Sequence, residues 1–66
     1  MKNTLRVERA ILNLTQAELA EKVSVSRQTI NAIESNKYVP STVLALKLAA
    51  VCHKKVEDIF ILESTD

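Results

Sequence analysis

The chain has 66 residues, a net charge of +1, one cysteine and no glycine. Its length predicts a single domain, residues 1–66, near the lower limit at which a core folds without disulfides or metals. Cys52 is the single cysteine and cannot form an internal disulfide, and no group of residues has the spacing of a metal site. No apolar run approaches the ~18 residues of a membrane span, and the charged start MKNTLRVERA is unlike an export signal. We therefore expect a cytoplasmic protein without a cofactor.

Positive and negative charges are distributed unevenly along the chain. Residues 1–55 carry all nine Lys and Arg with four acidic residues, a charge of +5, whereas residues 56–66 carry four acidic residues and no basic one, a charge of −4. This division suits a basic surface that faces a polyanion and an acidic tail that faces away from it. Ordinary solvated surface charge explains the same pattern.

Apolar spacing and capping residues predict two helices in the first third of the chain. Residues 4–14 repeat apolar side chains at helical spacing, and this first helix should end at Asn13. Thr15 and Glu18 form a Thr-x-x-Glu capping box that opens a second helix.

Three further helices are predicted in the rest of the chain. Ser26 caps a third helix over about residues 27–35. Pro40 and Ser41 open a fourth helix that reaches about Cys52. The segment VEDIF forms a short fifth helix, and the terminal FIL has strand character.

The connection between the second and third helices is too short for a relaxed loop. Only residues 24–26 separate them, so the chain must turn sharply, as in a helix-turn-helix. The apolar residues that would form the wedge between the two helices are Leu19, Val23, Val25, Ile30 and Ile33. The residues left on the outer face of the third helix are Arg27, Gln28, Asn31 and Ala32. This face is therefore an exposed polar edge.

Several segments of the chain resemble a known family. TQAELAEKV and SRQTINAIE resemble the helix-turn-helix of the Cro/C1 (Xre) regulators, which include the lambdoid phage repressors. SRQTINAIE, NKYVPS, LALKLA and VEDIF, in that order, are similar to the small stand-alone prokaryotic regulators of that family. The resemblance implies a mainly α, five-helix lambda-repressor-like domain with a small two-stranded antiparallel sheet from the chain ends. It also implies a homodimer that binds double-stranded DNA with the third helix in the major groove.

The resemblance assigns DNA contacts to individual residues. Those expected at the DNA backbone are Gln16, at the start of helix two, with Ser26, Thr29, Lys37 and Tyr38. Those left as candidate base readers are Arg27, Gln28 and Asn31, because Arg suits guanine while Gln and Asn suit adenine.

Each assignment has a structural alternative. Arg27 and Gln28 are also typical of a solvent-exposed first helical turn. Lys37 is also typical of a surface charge without a partner. Thr29 can bond within its own helix, and Tyr38 can cover the core. Asn31 lies one turn deeper, where phosphate or water is an alternative partner.

Two further features follow from the same resemblance. Arg9 in helix one and Glu34 at the end of helix three match the positions of a structural ion pair in the lambdoid repressors. Ser24, Asn36 and His53 stand where the family usually has glycine, which implies left-handed backbone there. His53 is then a helix C-terminal residue rather than a ligand or catalyst.

Helix four is apolar nearly all round, which predicts two packing partners. One is the core of the chain, and the other is a second subunit that contacts residues about 43–62. The expected interface residues are Leu44, Val51, Val56, Ile59, Phe60 and Leu62. The alternative is a helix covered by the ends of its own chain.

These observations predict a nucleoid-associated transcriptional repressor that reads a palindromic operator. The alternative is an antitoxin-like module whose main partner is a protein. One His, one Cys, no phosphate-binding glycine loop and no converging acid pair argue against an enzyme. We expect no second domain for a small-molecule effector.

Overall fold

A computed structural model describes residues 1–66 as five helices and one two-stranded sheet. In chain order the elements are β1 (Lys2–Asn3), α1 (Leu5–Ile11), α2 (Gln16–Lys22), α3 (Arg27–Glu34), α4 (Thr42–Cys52), α5 (Val56–Ile59) and β2 (Phe60–Ile61). The predicted fold class, with its small sheet from the chain ends, is confirmed. Even α4, the longest helix at 11 residues, is too short to cross a bilayer.

Side-chain caps set the starts of α2, α3 and α4. Thr15 Oγ1 accepts the Glu18 N–H at 3.0 Å, and Glu18 Oε1 accepts the Thr15 N–H at 2.8 Å, which completes the predicted capping box. Ser26 and Ser41 each accept the N–H three residues ahead at 3.2 Å. Each cap satisfies a donor that the helix cannot satisfy itself, and a cap of this kind contributes about 1 kcal/mol.

Left-handed residues end three of the helical segments. Ser24, Asn36 and His53 have φ of 61°, 60° and 55°, the left-handed backbone that the resemblance led us to expect. His53 is the C-terminal cap of α4. The sequence did not predict a fourth such residue, Asn13 with φ 61°, and α1 ends at Ile11 rather than at residue 13. Asn accepts this backbone geometry more readily than Ser does.

The core draws apolar side chains from every helix. Its buried members are Leu5, Leu19, Ala20, Val23, Ile30, Ile33, Leu44, Leu48, Ala49, Cys52, Ile59 and Phe60. Four of the five predicted wedge residues between α2 and α3 are among them, and Val25 is half-buried at the edge. This packing fixes the direction of α3 relative to α2.

The sheet joins the two ends of the chain and also holds the end of α3. Strand β1 pairs antiparallel with β2, with Asn3 opposite Phe60. The Asn3 side-chain amide donates to the Ile33 carbonyl at 2.8 Å and to Asn36 Oδ1 at 3.0 Å. The Ile33 carbonyl also accepts the Asn36 N–H at 3.0 Å, in the turn that ends α3. The first strand therefore adds a side-chain contact to the last turn of α3.

Three of the six residues expected at a subunit interface are buried within their own chain. Ile59 is fully buried, and Leu44 and Phe60 are each only 7% exposed. These three residues belong to the core of their own chain and offer almost no surface to a partner. Val51 and Val56 are half-buried, whereas Leu62 is 78% exposed. When a helix is apolar on all sides, its sequence does not show which face is covered by the rest of the chain.

Candidate nucleic-acid interface

The third helix has one buried face and one exposed polar face. Ile30 and Ile33 have no exposed surface. Arg27, Gln28 and Asn31 are all exposed, and together they form the outer face of α3. The three candidate base readers are thus accessible to a partner.

A buried carboxylate at the end of α3 fixes the helix against α1. The Glu34 side chain is 0% exposed, and its Oε2 accepts a hydrogen bond from Arg9 Nε at 2.7 Å. Arg9 Nη2 donates to Oε1 at 3.2 Å, so the contact is bidentate. Arg9 Nη1 also donates to the Leu14 carbonyl at 2.9 Å. One guanidinium therefore joins α1, the loop before α2 and the end of α3.

A second arginine reaches the same carboxylate, and sequence reasoning missed it. Arg6 Nε lies 3.5 Å from Glu34 Oε1, and the Arg6 side chain is 66% exposed. The spacing of Arg6 and Arg9, three residues apart in a helix, was a signal that both lie on one side of α1.

Gln16 connects this carboxylate to the outer face of α3. Its Nε2 donates to Glu34 Oε1 at 3.1 Å and to Asn31 Oδ1 at 3.3 Å. Its Oε1 accepts from Arg27 Nη1 at 3.3 Å. A primary amide has two N–H donors, and both are occupied by acceptors of the protein. Gln16 was expected to bond a phosphate, but in this structure its side chain orients two of the candidate base readers.

Hydrogen bonding keeps Glu34 ionised despite its burial. Burial by itself raises the pKa of a carboxyl group. Hydrogen bonds from Arg9 and Gln16 and the charge of Arg9 outweigh that effect, and the pKa of Glu34 lies below its ordinary value of 4.5. The carboxylate is therefore a permanent acceptor at the centre of the network near neutral pH.

Two hydroxyl groups at the start of α3 share one hydrogen bond. Ser26 Oγ and Thr29 Oγ1 lie 3.0 Å apart, and Ser26 Oγ also accepts the Thr29 N–H. The expected alternative for Thr29, a bond within its own helix, is thus present. Two hydroxyls carry two hydrogens, and the bond between them uses only one. The other hydrogen remains free to donate to an outside acceptor.

The loop after α3 carries the last two predicted backbone contacts. Lys37 is exposed, and its N–H donates to the Ala32 carbonyl at 2.9 Å, which fixes the loop against α3. Tyr38 is 48% exposed and lines a groove together with Val25, Thr29 and Leu44. It therefore lies beside the corner of the helix-turn-helix with about half of its surface open to solvent.

The remaining candidates for reactive chemistry lie elsewhere. Cys52 is buried in the core, and burial together with the charge of Glu8 raises the pKa of its thiol. No three His, Cys, Asp or Glu side chains lie close enough to share a metal ion.

Comparison with known proteins agrees with this architecture. The helix-turn-helix family matches residues 5–59 of the chain. An uncharacterized HTH-type transcriptional regulator of Methanocaldococcus jannaschii is 56% identical over 66 residues, which is 100% of both chains. Another, of Methanothermobacter thermautotrophicus, is 50% identical over 96% of this chain and 93% of its own. The regulator YgzD of Bacillus subtilis is 48% identical over 96% of each chain. The chain therefore belongs to the Cro/C1-type helix-turn-helix family and carries its DNA-binding domain.

Proposed function

We propose that the protein is a homodimeric transcriptional repressor that reads a palindromic DNA operator with α3 in the major groove. The observation that carries this proposal is the exposed polar face of α3, backed by a buried ion pair that fixes the helix. A recognition helix must be both accessible and held in one orientation, since a misplaced base contact loses its hydrogen bonds.

The candidate readers differ in how free they are to bind a base. The Gln28 side chain makes no hydrogen bond within the protein, so its amide is open to the N6 and N7 positions of adenine. Arg27 uses one of its five N–H donors on Gln16, and the others suit the O6 and N7 acceptors of guanine. Asn31 already accepts a bond from Gln16, which restricts its rotation. Gln28 is therefore the reader whose loss should alter sequence preference most.

Contacts to the DNA backbone supply affinity without sequence preference. The free hydroxyl hydrogen of the Ser26 and Thr29 pair, the ammonium group of Lys37 and the phenol of Tyr38 suit phosphate oxygens. The amide of Gln16 takes a phosphate only if it gives up one of its two protein acceptors. Its first role in this proposal is to position Arg27 and Asn31, and its contact with phosphate is secondary.

A dimer needs an apolar surface that a single chain leaves open. One groove is lined mainly by apolar residues, among them Val39, Leu46 and Val56, and Leu46 is 56% exposed. We assign the subunit interface to this groove and to the exposed Leu62, in place of the buried residues expected from sequence. Two recognition helices about 34 Å apart would then meet successive major grooves. A dimer bound at a promoter would exclude polymerase, which is the basis for repression.

Selection of bound duplexes from a random pool tests this function. The wild-type protein should enrich a palindrome, and Gln28→Ala should relax the preference at one base pair in each half-site. An enriched sequence that is identical for wild type and Gln28→Ala would remove Gln28 from the readers. Sequence-independent recovery with the wild type would contradict an operator-specific regulator.

One observation favours the second candidate, a protein-interaction role of the antitoxin kind. Val7 and Ile11, one helical turn apart on α1, are 58% and 69% exposed, although exposed apolar side chains are costly to keep without a partner. Co-purification of a stoichiometric protein partner that is lost in Ile11→Lys would support that role.

A further inference from the structure

Two arginines on α1 approach one carboxylate, which leaves one positive charge in excess. Arg9 makes the short contacts with Glu34, at 2.7 and 3.2 Å, and its side chain is only 18% exposed. Arg6 approaches the same group at 3.5 Å and is 66% exposed. The carboxylate is already paired without Arg6, so the unbalanced charge of this cluster is displayed at the surface by Arg6.

This charge lies beside the candidate base readers. Arg6 Nε and Gln16 Nε2 share the acceptor Glu34 Oε1, at 3.5 and 3.1 Å. The other end of the Gln16 amide contacts Arg27. A continuous set of contacts thus connects Arg6 on α1, through Glu34 and Gln16, to Arg27 on α3.

We propose that Arg6 is a further DNA-contacting residue, whose guanidinium leaves Glu34 and binds a backbone phosphate when the duplex docks. This inference rests on the proposed function, and it extends the contact surface from the helix-turn-helix to α1. Glu34 keeps its bonds to Arg9 and Gln16 after Arg6 departs, so no buried charge is left unpaired. A phosphate offers Arg6 a partner of full negative charge and releases condensed counterions. The interaction carries no base information.

The salt dependence of binding to a duplex of random sequence tests the role of Arg6. The slope of log K against log[salt] has a magnitude of about 0.9 for each phosphate that the protein neutralises. Arg6→Gln should therefore reduce the magnitude of the slope by about 0.9, whereas Arg6→Lys should keep it. The matched control is Lys55→Gln, which removes the same charge from an exposed residue beside α5, a helix packed on α4 and β2. The control should leave the slope unchanged, and Arg6→Gln should enrich the same operator as the wild type.

The outcomes separate the role of Arg6 from the proposed function. An unchanged slope in Arg6→Gln, with a salt-dependent wild type, would overturn the inference and leave the proposed function standing. A wild type that binds no duplex at low salt would overturn both. Unfolding of Arg6→Gln would also overturn the inference, because it would mean that Glu34 requires Arg6 as a structural partner. An equal reduction of the slope in Lys55→Gln and Arg6→Gln would overturn it as well, since net charge alone would then explain the effect.

Discussion

The amide nitrogen of Gln16 lies 3.1 Å from a carboxylate oxygen of Glu34, and this contact links the start of α2 to the end of α3. Glu34 is held from the other side by Arg9 and has no exposed side-chain surface. Because Nε2 of Gln16 is directed inward, its Oε1 faces Arg27 on the outer surface. A buried ion pair thus fixes the orientation of a residue at the candidate DNA interface.

Removing this amide should weaken operator binding more than it weakens the fold. In Gln16→Ala, Arg27 and Asn31 no longer share a partner, and we expect about tenfold weaker affinity for the selected operator, about 1.4 kcal/mol. Glu34 keeps both arginines, so the free energy of unfolding should fall by only about 1 kcal/mol. Fluorescence anisotropy with labelled operator and urea unfolding measure the two effects. Ala17→Ser, at the exposed neighbouring position, is the control and should change neither.

The ion pair of Arg9 and Glu34 should be strongly coupled. Both side chains are shielded. Arg9→Met leaves Glu34 with the 3.5 Å contact of the exposed Arg6 as its only ion pair, and Glu34→Leu leaves Arg9 without its partner, so each change should cost about 3 kcal/mol. The double variant removes both charges and should cost much less than the sum of the single changes. Denaturant unfolding of the four proteins gives the coupling energy. If the cost of the double variant equals the sum of the two single costs, the pair contributes orientation but no interaction energy.

The pH dependence of stability should carry a contribution from Glu34. Its pKa is lowered in the folded protein relative to the ordinary value of 4.5. The contribution is therefore fully present above about pH 4.5 and is lost as the pH falls through the folded pKa. Glu34→Gln has no such proton to gain, and its free energy of unfolding should change less between pH 6 and about pH 3 than that of the wild type. Parallel curves for the two proteins would assign the acid sensitivity to other carboxyl groups.

Glycine at the corner of the helix-turn-helix should stabilise the fold. Ser24 has φ 61°, and a non-glycine residue in that region pays a steric cost from its Cβ atom. We expect Ser24→Gly to raise the free energy of unfolding by about 1 kcal/mol. Asn13→Gly is a matched control at φ 61° and should gain less, because Asn tolerates this geometry. A fall in the urea midpoint of Ser24→Gly would contradict the backbone geometry at the corner.

A charge in the groove beside α4 should dissociate the proposed dimer. Leu46→Lys places a cation on the assigned interface, and we expect the sedimentation coefficient to fall to that of a 7.4 kDa monomer. Ile11→Lys adds the same charge on α1 and should leave the dimer intact. If wild type and Leu46→Lys are both dimers, the interface lies elsewhere. If both are monomers, one chain acts alone.

Local signals in the sequence were enough to predict the helix starts and the turn. The capping box of Thr15 and Glu18, the cap at Ser26 and the short connection after Val23 depend on neighbours within a few residues. Such features can therefore be predicted directly from the order of the residues. The left-handed Asn13 was missed because an apolar pattern continues past it to Leu14, and the pattern alone does not mark a break.

Contacts between distant residues were harder to predict. Gln16 and Glu34 are 18 positions apart, and no periodicity relates them, so the role of Gln16 as a connector became evident only in three dimensions. The burial of some residues expected at a subunit interface was hard to predict for a different reason. With apolar side chains on all sides, Leu44 and Leu46 look equivalent in sequence, but Leu44 is 7% exposed and Leu46 is 56% exposed.

We propose that the outer face of α3 enters the major groove. Protection of the selected operator from dimethyl sulfate tests it directly, because this reagent methylates guanine N7 in the major groove and adenine N3 in the minor groove. We expect bound protein to protect guanine N7 in each half-site and to leave the adenine N3 positions there reactive. Arg27→Ala should abolish the protection. Unprotected guanines under saturating protein, or protection confined to adenine N3, would contradict it.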